Sequence, residues 1–362
     1  MKSPYSTTYA EARAQFIEAA RATNATVESH ELSQLGPNGE GLATDTAWVG
    51  PTTAKRVLVT TSATHGVEGY FGSATQVEWL RRAKGETLPE GVAALHIHAI
   101  NPYGFAWMRR TNEDNIDINR NWINFDVSLP NNPGYEDLSN DLCPADWSEA
   151  TQQQTLQRLK TWIGQHNFAV FQKAVTEGQH QHPQGLFYSG RAPSWSRITL
   201  TRILQALLPD ASRVCVIDFH TGLGPYGYAE PIIGQPRGTA AFDRTRTWIG
   251  AGARSLYGNG SVSAEIKGDC MSILPSLLPR AVVDCVALEC GVRPVLEVLH
   301  AMRADAWLHA HGNPRSEQGK QISESLKGVF HSDDALWQGM ALGQGLSACK
   351  AALTALSEGP HR

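Results

Sequence analysis

The sequence predicts an α/β fold, a mixed and largely parallel sheet flanked by helices, and three observations lead there. A strand at Arg56 to Thr61, a helix from about Gly69 to Ala83 and a strand at Ala93 to Ile100 alternate as βαβ units do. Two further β-branched runs, Arg213 to Phe219 and Ala281 to Leu288, are short and apolar, the pattern of strands buried on both faces. At 362 residues the chain is long enough to close such a sheet as a single domain, with a long insertion at about 124–212.

The first element is a helix, because Thr8 and Glu11 are spaced as a capping box and Tyr9, Ala12, Phe16, Ala19 and Ala20 recur at helical intervals. Strands at Ala25 to Leu32 and Leu42 to Val49 flank a turn, Gly36 to Gly41, whose glycines suit a hairpin; no Lys-Ser/Thr follows, so it is not a phosphate loop. After the alternating core, residues 124–145 read as a loop rich in proline and asparagine. Helices follow at Ser148 to Gly164 and Asn167 to Gly178, then a polar loop over 179–195. Late helices are expected at Thr239 to Tyr257, Pro294 to His309 and Asp333 to Leu356.

Composition narrows the function. With 31 basic and 35 acidic residues the formal charge is −4, which excludes a polycationic nucleic-acid arm and an acidic tail as the governing feature. No apolar stretch reaches the roughly 20 residues of a membrane helix. Glu11, Arg13, Glu18 and Arg21 interrupt the first helix, unlike a signal peptide, and a cytoplasmic protein is expected. The six cysteines form no CxxC pair, which fits a reducing compartment and core thiols.

In open α/β sheets ligands bind beyond the carboxyl ends of strands, so the polar residues just after strands are the candidates for chemistry. His65 and Glu68 make an H-x-x-E pair after the first core strand, a spacing that lets an imidazole and a carboxylate reach one divalent ion. The same pair also reads as a loop histidine beside a glutamate favoured by a helix N-terminus. His220 ends another strand and would complete two histidines and one carboxylate, the donor set of hydrolytic zinc sites, with Asp218 able to orient its ring. Glu289 stands at the end of the last core strand. His96 and His98 share one face of a strand, as either a second metal pair or packing residues, and His180 and His182 read as loop polarity.

Taken together these pieces resemble the zinc carboxypeptidase superfamily, including its aspartoacylase and succinylglutamate desuccinylase branch. His65-x-x-Glu68 is similar to the family's first two zinc ligands and Asn101-Pro-x-Gly104 to its Asn-Pro-Asp-Gly segment. Arg109-Arg-Thr resembles the stretch carrying the oxyanion arginine, and Asp117-Ile-Asn119-Arg120-Asn-Trp122 the Asp-x-Asn-Arg-Asn signature. His220 takes the third ligand's place and Glu289 that of the catalytic glutamate. The order of these motifs over residues 55–300 is more specific than any one of them. No tyrosine matches the family's substrate-capping residue, although Tyr226 and Tyr228 follow His220.

The resemblance implies one zinc ion per chain on His65, Glu68 and His220, lowering the pKa of its water towards about 7. Glu289 would serve as general base. Arg109 would stabilise the oxyanion, with Arg110 able to exchange roles with it. Asn119 and Arg120, with Arg110 nearby, would hold a substrate carboxylate, Arg120 by the bidentate geometry a lysine lacks. The expected function is hydrolysis of an amide next to a free carboxylate, in a small peptide or an N-acyl amino acid, with no nucleic-acid or membrane partner. A non-catalytic metal and carboxylate binder is the alternative from another class. A serine hydrolase is disfavoured because no Gly-x-Ser-x-Gly elbow is present.

Overall fold

The computed structural model describes residues 2–84, 88–258 and 260–358. Helix α1 (Tyr9–Ala22) leads into the hairpin β1 (Thr26–Leu35) and β2 (Gly41–Val49), followed by β3 (Arg56–Thr61), α2 (Gly69–Ala83) and β4 (Val92–His98). A short α3 (Pro102–Ala106) precedes the helical excursion α4 (Pro133–Leu142), α5 (Glu149–His166), α6 (Phe168–Thr176) and α7 (Trp195–Leu207). The chain then forms β5 (Arg213–Tyr226), β6 (Ala229–Ile233), α8 (Ala240–Ile249), β7 (Arg254–Ser255), α9 (Cys270–Leu277) and β8 (Val282–Gly291). It finishes with α10 (Val295–His311), α11 (Glu317–Phe330) and α12 (Ala335–Ser357).

The strands form one sheet in the order β1-β2-β4-β3-β5-β8-β6-β7. The central four, β4, β3, β5 and β8, run parallel, whereas β2 joins β4 and β6 joins β8 antiparallel. The fold is therefore the mixed, largely parallel sheet the sequence predicts. Parallel strands must be covered on both faces, and two apolar clusters do this. Phe16, Phe71, Leu80, Trp337 and Leu356 pack against Leu58 and Ile217 on one side. Leu200, Leu204, Met271 and Leu274 pack against Val57, Val59 and Val216 on the other.

Local signals explain most boundaries. Thr8 caps α1 by accepting from the Glu11 amide, but the Glu11 carboxylate reaches back to the Thr7 amide at 2.9 Å, one residue beyond an ideal capping box. The expected loop at 124–145 in fact holds α4, which Asn132 caps and Pro133 starts, residues that serve a helix N-terminus as well as a turn. The helix expected over Thr239 to Tyr257 stops at Ile249, where Gly250 at φ +112° lets the chain turn into β7.

The carboxyl ends of β3 and β4 depart from regular geometry together. Ala63 and Ala99 both sit at positive φ, a conformation that costs an L residue about 1–3 kcal/mol. Hydrogen bonds from Ile100 N to Ser62 O and from Asn101 N to Ala63 O, both 3.0 Å, hold the two exits side by side. Gly66 then lies directly on Gly104, where an added Cβ would stand 2.1 Å from the Gly104 carbonyl carbon. The absence of that side chain lets the His65 turn and the Arg109 loop bond backbone to backbone, Val67 N to Arg109 O at 2.9 Å.

Candidate metal centre

Three exits from the sheet converge. His65 follows β3, Glu68 closes the single 3₁₀ turn Gly66–Glu68, and His220 lies in β5 opposite Glu289 of β8 in register. Donor atoms of His65, Glu68 and His220 all lie within 4.8 Å of one another, and the three side chains are buried. Among the described residues this is the one such group of three or more histidine, cysteine or acidic side chains. The His65 and His220 rings sit 5.0 Å apart.

Each histidine is backed by a carboxylate. The Nε2 of His220 lies 2.7 Å from Asp218, whose oxygen Oδ1 also accepts from Thr61 at 2.6 Å and Thr64 at 2.9 Å. The Nδ1 of His220 faces Glu68 Oε2 at 3.3 Å. His65 presents Nδ1 to Asp117 Oδ1 at 3.4 Å, while Arg110 lies 2.9 Å from its Nε2. Two imidazoles and a carboxylate, buried, convergent and supported from behind by further carboxylates, fit the ligand set of a hydrolytic zinc ion.

Burial and neighbouring cations push His65 far below the ordinary histidine range, keeping it neutral, the form that binds metal. Burial acts in the same direction on His220 but is outweighed by Asp218 and Glu68, which raise it well above that range. Glu289 is partly exposed to the cavity beside the cluster. Its surroundings and the nearby Glu68 charge push it up to about 7, although Leu223 N donates to it at 2.9 Å. A carboxylate titrating near neutrality is suited to taking and returning a proton.

The structure separates the two neighbouring arginines. Arg110 donates to Glu68 at 2.5 Å, contacts Asp117 at 3.2 Å and lines the cavity. Arg109, expected to be the oxyanion group, instead turns to Asp305 at 3.2 Å and Asn115 at 2.9 Å, outside the residues lining that cavity. Their divergence has a backbone setting. Met108 has φ +53°, and the Arg109 amide and carbonyl are tied to Gly104 and Val67, so the next residue carries the guanidinium that meets the cluster.

Asn119 and Arg120 both line the cavity. Asn119 Oδ1 accepts from Cys270 N at 2.8 Å, and Arg120 spends Nε on Thr176 O and Nη1 on its neighbour's carbonyl. Burial lowers Arg120 to about 10, against the pull of Asp117, and it stays cationic at neutral pH. Phe187 lies under both guanidiniums, 5.5 Å from Arg110 and 5.2 Å from Arg120. Asp117, which touches His65, Arg110 and Arg120, is the residue the motif reading left without a role. Its place two residues before Asn119 was the available signal.

The other histidines stay apart. His96 and His98 are fully buried inside β4 with one hydroxyl each, Thr60 at 2.7 Å and Ser73 at 2.9 Å. His180 bonds to the Gly190 carbonyl at 2.7 Å and His182 to Glu136 at 3.0 Å. The described cysteines are free thiols.

The sequence matches a family model described as a protein of unknown function (DUF2817) over residues 5–344. The chain belongs to that family. No curated protein matches it. Among solved structures it is similar to bovine thrombin-activatable fibrinolysis inhibitor in complex with tick carboxypeptidase inhibitor, at 12% identity and TM-score 0.51, with 98% of each chain covered. It also matches a metallo-carboxypeptidase from Burkholderia cenocepacia, at 11% identity and TM-score 0.44, covering 94% of this chain and 68% of that one. A succinylglutamate desuccinylase from Silicibacter matches at 13% identity and TM-score 0.39, with 84% and 65% covered. The first of these establishes that this DUF2817 member has a zinc carboxypeptidase-like fold. No described helix is long and apolar enough to cross a membrane.

Proposed function

We propose that this DUF2817 protein is a zinc-dependent hydrolase that cleaves an amide bond next to a free carboxylate. The observation that carries the reading is the cluster of His65, Glu68 and His220, whose two histidines line one cavity of about 140 Å³ together with Glu289, Arg110 and Arg120. A zinc ion held by His65, Glu68 and His220 would supply Lewis acidity and lower the pKa of water towards neutral pH. Arg120, helped by Asn119, binds the substrate carboxylate and so fixes which amide lies beside the cluster. Glu289 takes the proton of the attacking water and returns it to the leaving amine. Arg110 meets the negative charge that grows on the former carbonyl oxygen, an interaction stronger in the transition state than in the bound substrate. Arg109 is assigned a structural part, holding its loop to α10 through Asp305.

Peptides and N-acyl amino acids both satisfy this chemistry. The same polar shell without turnover would make a carboxylate-binding protein, and Glu289 distinguishes the two. Glu289→Gln is expected to lower kcat/KM on any accepted amide by about 10²–10⁴-fold while bound zinc, read by elemental analysis, stays near one per chain. A wild-type protein that folds yet takes up no metal would sink the hydrolase reading.

A further inference from the structure

One cavity contains two environments. Around the cluster it is polar and cationic, and α6 (Phe168, Phe171, Val175) and α10 (Leu296, Leu299, Met302) add an apolar wall to it. Phe171, Val175 and Met302 belong to one buried cluster with Val67, the residue immediately before Glu68, so the wall and that turn share one core. At its outer end Phe168 is 40% exposed and Leu296 52% exposed, so apolar side chains mark its mouth on both helices. The one amide side chain there, Gln172, is turned onto the Val262 carbonyl.

Such walls suit a hydrocarbon and not a peptide. From Phe171 to Val175 and from Val298 to Met302 the backbone lies within helical turns, so its amides are already bonded and only side chains face the cavity. A peptide running between the helices would bury an unpaired N–H and C=O at each residue, at a cost of about 1–3 kcal/mol per group. A succinyl or other acidic acyl group would meet no cation towards Phe168, because Arg120 touches α6 at its last residue, Thr176, two helical turns away, and the residues of α6 and α10 that line the cavity include no cationic side chain. An acyl chain leaves no polar group unsatisfied and removes its surface, and that of Phe168 and Leu296, from water.

Resting on the hydrolase reading, we infer that the substrate is an N-acyl amino acid whose acyl group is a medium-length hydrocarbon chain held between α6 and α10. The amino-acid carboxylate lies at Arg120, the scissile amide at the cluster and the chain towards Phe168 and Leu296. Hydrolysis adds one water across the amide and releases a fatty acid and a free amino acid, with no other reactant consumed.

The test compares N-acetyl-leucine, N-octanoyl-leucine and an alanyl-leucine dipeptide on the zinc-loaded protein. Each buried methylene contributes about fourfold, so kcat/KM should rise at least about a hundredfold from acetyl to octanoyl, with the dipeptide nearer acetyl. Leu296→Asp and Phe168→Asp, both at exposed positions, should each lower the octanoyl-to-acetyl ratio about tenfold. Equal rates for acetyl and octanoyl, or preference for the dipeptide, overturn the acyl-chain inference and leave the hydrolase reading standing. Hydrolysis of none of the three overturns the hydrolase reading. The inference is then decided by calorimetry on zinc-loaded Glu289→Gln: tighter binding of the octanoyl compound supports the channel, and equal Kd values overturn it.

Discussion

Two pairs of histidines lie buried in or just beyond the strands of this sheet, and they differ in what surrounds them. His65 and His220 stand where β3 and β5 meet the cavity, facing Glu68 and backed by Asp117 and Asp218. His96 and His98 lie inside β4, each with one hydroxyl partner and an aromatic neighbour, Trp79 at 4.4 Å from His96 and Phe16 stacked 4.7 Å from His98. Burial is common to both pairs and so does not by itself mark a candidate metal ligand. What separates the pairs is convergent carboxylate, which sequence spacing shows for His65 through Glu68 and does not show for β4.

The sharpest break between the pairs is metal content. His65→Ala or His220→Ala should reduce zinc from about one per chain to near zero and abolish turnover, because two remaining donors fall short of the three protein ligands a catalytic zinc site uses. His96→Gln and His98→Gln should keep full zinc. Zinc lost in the β4 variants and retained in the others would reverse the comparison.

Next comes the contrast between the adjacent arginines beside the first pair. Arg110→Ala should lower kcat by about 10²–10³-fold, the scale of a lost oxyanion donor. Arg109→Ala should instead strip the buried Asp305 of its partner and cost about 3–5 kcal/mol of stability, read as a lower urea midpoint. A catalytic defect confined to Arg109→Ala would restore the assignment made from the motif.

That contrast also shows where sequence reading runs out. That His65, Glu68 and His220 come together, and that Asn119, Arg120 and Glu289 line the cavity beside them, was legible because each lies at a recognisable strand end or signature, and the parallel core because β3, β5 and β8 are apolar runs. Which of Arg109 and Arg110 faces the cluster was not, because adjacent side chains point in different directions and the backbone beside them has Met108 at positive φ, which no local propensity predicts. Helix α9 escaped notice since it is short and contains Pro275, and α4 because its asparagine and proline also signal turns. The apolar wall of α6 and α10 joins residues more than a hundred positions apart, a pairing visible only once the chain is folded.

A smaller effect is expected from the carboxylate behind His220. Asp218→Asn keeps the shape but removes the charge that fixes the ring, and zinc affinity should fall about 10–100-fold, read by competition with a chelator. Unchanged affinity would mean that Thr61 and Thr64 hold the loop without help from that charge.

The smallest expected effect belongs to the second pair and appears only with pH. Burial lowers His96 to about 3 and His98 to about 4, while in the unfolded chain each titrates near 6.5. Both stay neutral in the folded protein, so their stabilising contribution is complete above pH 6.5 and is lost as the pH falls, because only the unfolded chain takes up the proton there. Between pH 7 and pH 5 each should withdraw about 2 kcal/mol of stability. His96→Gln and His98→Gln should each flatten the fall of the urea midpoint over that interval, even where packing loss lowers the midpoint at pH 7. An unaltered slope in both variants would show that other groups set the acid limit, and that the β4 histidines are ordinary packing residues whose protonation the fold does not oppose.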